Sequence, residues 1–142
     1  MPTIPTLTKR PKNITISQAY QPKELPQGVI PEVAQIDGMV GYPQSYSLDC
    51  EIRSVVDFEA FFGVVITEFD FLSMLPRSDD PEQWLVGNYN DASGNILPNS
   101  YGMYAYPLAA VLRSYKVNAF DVKGVTYEDL IIEIASGRPV IV

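Results

Sequence analysis

The stretch Tyr42-Pro43-Gln44-Ser45-Tyr46-Ser47-Leu48-Asp49-Cys50 holds the only cysteine of this 142-residue chain, six residues after a glutamine and at the point where an apolar helix begins. Aligned peptide dipoles favour a thiolate at a helix N-terminus, and an amide one loop upstream can donate to an oxygen that becomes negative. The pattern is that of a cysteine nucleophile beside half an oxyanion hole. The dipole contributes only ~0.3–1 kcal/mol, less than one pKa unit, so deep activation of the thiol needs a basic partner as well. The chain contains no histidine, so it holds no ordinary general base for Cys50. The plainer alternatives are a small buried apolar side chain at Cys50 and a surface loop residue at Gln44.

Other chemistries find less support. A Ser–His–Asp mechanism is excluded by the want of histidine, and one cysteine without histidine makes no zinc ligand set. Asp79, Asp80 and Glu82 lack the spacing and glycine of a calcium-binding EF-hand loop and read as a solvated acidic loop. Asn88, Asn90, Asp91 and Asn95 read as turn residues. There is no phosphate loop or dinucleotide fingerprint. A net charge of −7, with Lys9, Arg10, Lys12 and Lys23 too few and dispersed for a patch, argues against a nucleic-acid partner. No apolar run is long enough to span a membrane, and a single cysteine rules out an intrachain disulfide. No cofactor is implied.

The elements that must position Cys50 follow from periodicity and punctuation. Seven of the 12 prolines precede Gln44, so residues 1–35 read as an extended arm with one short strand at 13–17. The domain proper covers 36–142. Residues 50–62 form the strongest helix, with Ile52, Val55, Val56, Glu59 and Phe62 at helical spacing, Ser47 or Asp49 as cap and Gly63 just past its end. This helix is expected to be central and buried on most sides. Thr67 to Asp70 opens a short helix that stops at Leu75-Pro76, and residues 77–101 form a long loop anchored by Trp84. Pro107 suits the first turn of a helix through Tyr115, residues 119–122 suggest a short strand, and Thr126 opens a helix closed by Gly137. Residues 138–142 read as the start of a buried strand. A terminus inside such a strand predicts that the native polypeptide continues past Val142. Gly102 suits a tight turn. Tyr101, Tyr104, Tyr106 and Tyr115 either line a peptide groove or sit half-buried with wet hydroxyls.

Four segments together resemble the C39-like family of papain-fold cysteine peptidases across residues 36–142. They are Gln44 to Glu51, Leu75 to Pro81, Tyr101 to Pro107, and Gly137 to Val142. The resemblance implies that Cys50 is the nucleophile and that Gln44 helps to stabilise the oxyanion. It implies a catalytic histidine after the strand begun by 137–142, with a carboxylate or asparagine later still, both past Val142. It also implies a bacterial, exported or cell-surface setting. Asp49 and Glu51 flank the cysteine where many relatives have small residues after it, which bears on pocket shape and substrate preference.

The expected fold is therefore α+β and papain-like, with the 50–62 helix packed on a mainly antiparallel sheet whose C-terminal portion lies outside these residues. The expected function is thiol-dependent hydrolysis of a peptide or protein substrate in the intact protein, with these 142 residues inactive alone. The alternative is a non-catalytic module on the same fold that binds peptides or a partner protein. An acyl transferase would use the same residues.

Overall fold

The computed structural model describes residues 29–142, so the strand expected at 13–17 and most of the N-terminal arm lie outside the described residues. Four helices follow in order: α1 Cys50–Phe61, α2 Glu68–Met74, α3 Ala105–Ser114 and α4 Tyr127–Ala135.

In α1, Ile52, Val55, Val56 and Glu59 are buried, the one stripe that a period of 3.6 residues brings together. The helix ends in a Schellman motif. Gly63 takes a φ of 79°, its N–H donates to Ala60 O (3.0 Å), and Val64 N–H donates to Glu59 O (2.9 Å). Phe62, expected on the buried stripe, falls at the C-cap and is largely exposed. Thr67 caps α2 by accepting from Asp70 N–H, and the helix stops before Pro76, whose ring disfavours helical geometry at Leu75. α3 has Pro107 in its first turn, as expected, and Tyr115 at its C-cap. The proline sits third in the helix, where its missing N–H is still one of the four donors without an intrahelical partner. A full capping box joins Thr126 and Asp129 at the start of α4. A second Schellman motif closes it at Gly137 (φ 75°), with Arg138 N–H on Glu133 O.

The helices α2 and α3 both pack on α1, whereas α4 makes no such helix–helix contact. The core joins Ile52, Val55 and Val56 of α1 to Phe71 and Leu72 of α2 and to Leu108, Val111 and Leu112 of α3. Six consecutive residues of α3, Pro107 to Leu112, are buried. The most enclosed helix is therefore α3, while α1, with Cys50, Ser54 and Ala60 exposed, is the hub that the others share. The long loop supplies Trp84, Leu85 and Val86 to the interior, with Trp84 anchoring it as expected.

The α+β papain-like expectation is corrected here. Among the described residues the regular structure is all helical, with no β-strand or sheet and only two isolated bridges, Arg77 to Leu85 and Val86 to Gly102. Residues 119–122 and 138–142 have strand-like composition, but a strand exists only where a neighbour completes its ladder. At 119 the carbonyl is taken instead by the Arg113 guanidinium (2.8 Å). At 138 the N–H is used to close α4, and Ile141 and Val142 are exposed rather than buried.

Glu59 lies on the buried stripe with no exposed surface, and no hydrogen-bond donor reaches either carboxylate oxygen. Burial pushes its carboxyl up from 4.5 to about 7. The folded state then holds a proton that the unfolded state has released, so stability is fully present below about 4.5 and is lost as pH rises through about 7. Asp49 titrates with the same sign, so the difference between variants isolates Glu59. Glu59→Gln should be more stable than the parent by roughly 1–3 kcal/mol at pH 8 and about equal to it at pH 4, read from urea unfolding at both pH values.

Candidate functional site

Cys50 is the first residue of α1 and its side chain reaches solvent. Six residues earlier, Gln44 is exposed in the loop that feeds the helix, and its amide donates to Tyr46 O (2.6 Å) within that same loop. No hydrogen bond joins Gln44 to Cys50. The amide points at its own backbone, so acting on a substrate oxygen requires exchanging that partner.

The loop between the two residues is tied down on several sides. Ser45 donates to Glu68 of α2 through its N–H (3.2 Å) and its hydroxyl. Ser47 Oγ donates to Asp91 O (2.7 Å), Leu48 N–H to Tyr89 O (2.9 Å), and the Tyr46 and Tyr89 rings meet edge to face at 4.7 Å. Just upstream, Tyr42 N–H donates to Asp57 Oδ2 (3.0 Å) while Arg53 lies over the Tyr42 ring. Neither expected cap serves α1. Ser47 is spent on Asp91, and Asp49 occupies the N-cap position without a side-chain cap bond.

The Asp49 carboxyl is instead fully buried and faces Glu68. The Tyr46 backbone N–H and the Arg53 charge favour its ionised form, but they are outweighed by burial and by the bond to Glu68, a contact between two acids that is strongest when one of them carries a proton. Burial, with the Glu68 carboxylate alongside, pushes Asp49 up to about 6. Burial acts on Glu68 in the same direction, but bonds from Ser45 and Asp49 and the Arg53 charge outweigh it and hold Glu68 low. Asp49 is thus the proton holder.

On its other side Cys50 meets Glu51. The thiol donates to Glu51 Oε2 (3.1 Å), and Glu51 Oε1 accepts from Met103 N–H (3.3 Å). Partial burial, then the Glu51 hydrogen bond and charge, push the thiol up from 9.0 to about 11. The helix terminus favours the thiolate, yet these effects exceed it. Gly102 takes a φ of 105°, and a Cβ there would overlap Glu51 Oε1. The bare glycine is what lets the 101–103 segment run against the carboxylate.

Tyr101 in that segment and Tyr104 just after it meet edge to face at 5.6 Å, with hydroxyls 3.2 Å apart. Tyr115 belongs elsewhere, half-buried with its hydroxyl on Met74 Sδ (3.8 Å). The four tyrosines therefore do not form one surface. Asp80 accepts from Glu82 N–H and the Gln83 amide, and Asp91 accepts from Asn88 N–H, so both behave as turn residues. Among the described residues no cluster of side chains could hold a metal ion. No helix among them is long and apolar enough to cross a membrane. An apolar groove of about 610 Å³ runs between Phe58 and Phe62, α3, the 117–125 segment and α4, but neither Gln44 nor Cys50 lines it.

The residues that sequence reasoning missed are the acids around the thiol. Glu51 stood out only as a departure from smaller residues, and Glu68 drew no reading of its own within the Thr67–Asp70 helix start. Nothing local signals that both reach across to distant loops.

No family model, no curated protein and no solved structure matches the chain.

Two outcomes follow from this geometry. In iodoacetamide alkylation the Cys50 profile should have its midpoint near 11, and Glu51→Gln should lower it and raise the rate at pH 8 by up to about tenfold; an unmoved midpoint removes Glu51 as a cause. Gly102→Ala should cost about 1–3 kcal/mol in urea unfolding, and more than Gly94→Ala, which shares a positive φ but meets no atom.

Proposed function

We propose that Cys50 is the nucleophile of a thiol-dependent amide hydrolase, as its resemblance to the C39-like cysteine peptidases implies. The observation that carries this reading is the solvent-reaching thiol at the first residue of α1, beside a loop fastened at several points. In this mechanism Cys50 Sγ bonds to a peptide carbonyl carbon while a base takes the thiol proton. The Gln44 amide and the Cys50 N–H donate to the oxygen that becomes negative. The base returns the proton to the departing amine, and water then cleaves the thioester.

The base must come from residues outside these 142. There is no histidine in the sequence, and Glu51, although in contact with the thiol, is a carboxylate and too weak a base to hold a thiol proton. A second reading, a non-catalytic module that binds a peptide or partner protein, is favoured by the thiol being pushed up to about 11.

Hydrolysis of a peptide library by the protein from its natural source separates the two. Under the hydrolase reading Cys50→Ala abolishes cleavage, and Gln44→Ala lowers turnover by about 10²–10³. Cleavage that survives Cys50→Ala, unchanged turnover in Gln44→Ala, or no cleavage by the parent protein overturns it.

A further inference from the structure

One carboxylate touches both ends of the loop that separates Gln44 from Cys50. Glu68, the first residue of α2, is 7% exposed and accepts from both the N–H and the hydroxyl of Ser45, the residue after Gln44. Asp49, the residue before Cys50, presses its buried carboxyl on the same group. Arg53, within the first turn of α1, reaches Glu68 Oε2 at 3.4 Å. The middle of the loop is held by Tyr89 and Asp91, which lie on irregular chain. Glu68 instead ties the loop ends to two packed helices.

We infer that Glu68 is the positioning residue of the Gln44–Cys50 pair. It fixes where the loop leaves Gln44 and where it enters α1, so the amide and the thiol keep a set relation. The inference rests on the nucleophile reading above. Glu68 touches neither Gln44 nor Cys50; it acts through their neighbours Ser45 and Asp49. A buried carboxylate suits this task, because it accepts several bonds at once and each charge-assisted bond is stronger than a neutral one. Breaking the arrangement from the Glu68 side also strands Asp49 without its acceptor.

The test uses the full chain. Glu68→Ala should speed amide hydrogen exchange at Ser45 by about tenfold or more and leave Leu130 in α4 unchanged, which separates local loosening from global destabilisation. Ser45→Ala, which leaves the helices intact, should move the region in the same direction by less, and Glu68→Gln, which keeps an acceptor, should restore part of the protection. A peptide aldehyde then reads the pair itself. The thiol adds across its C=O, sulfur to carbon and proton to oxygen, and that oxygen receives the Gln44 amide. Gln44→Ala should weaken the adduct by on the order of 10–100-fold in the parent and by less than about 3-fold in the Glu68→Ala background.

Unchanged exchange around Ser45 in both Glu68→Ala and Ser45→Ala overturns the inference, whether or not Cys50 is a nucleophile. Faster exchange with a Gln44→Ala effect of full size in both backgrounds overturns the positioning role. Faster exchange with no adduct in any variant sinks the nucleophile reading, and the clamp on the loop stands.

Discussion

A carboxylate removed from water must find donors, a cation or a proton, and the N-terminal half of the described chain is arranged around that requirement. Glu68 meets it with Ser45 and Arg53, and Asp49 meets it beside Glu68 with a carboxyl pushed up to about 6. Arg53 also holds Asp57 at 2.5 Å, and Asp57 in turn receives Tyr42 N–H, so one guanidinium links the loop before the thiol to both helices. Glu59 meets the requirement only by protonation, since nothing around it donates. Near the far end of the chain Glu133 is answered by Arg138, a bidentate pair just past α4. Burial is thus tolerated where partners are supplied, and Glu59 is the exception on the hub helix.

The thiol environment follows from the same chemistry turned outward. At a helix start with a cationic neighbour a cysteine ionises readily; at a helix start with a carboxylate neighbour it keeps its proton. Cys50 has the second neighbour. Its accessibility and its helix position suit a nucleophile, while partial burial, and after it the Glu51 carboxylate, keep the proton on sulfur. A group that relieves this must bring positive charge or displace the carboxylate.

Much of the helical scaffold was legible in the residues. The extents of α1, α2 and α4 follow from apolar spacing, from Thr67 and Thr126 as caps, and from Gly63 and Gly137 at their ends, all of them interactions within a few residues. Pro107 likewise marked the first turn of α3, where its missing N–H removes no intrahelical bond. The sheet, by contrast, was misread. Apolar runs at 119–122 and 138–142 report composition, whereas a strand is a relation between two segments, and the pairing partner leaves no local trace. The candidate site divides the same way. Cys50 at a helix start was readable; the bonds from Glu51 to Met103 and from Ser45 to Glu68 span long stretches of chain and were not.

The approach of Gly102 to Glu51 has a bearing on how such sequences can drift. Space beside the thiol is shared by two positions far apart in the chain, and the side chain at 51 occupies room that a Cβ at 102 would need. A relative with a short residue after its cysteine is released from that restriction and can carry a larger residue on the facing segment, provided its backbone leaves the left-handed region. A relative with glutamate there cannot. The two positions are therefore expected to change together.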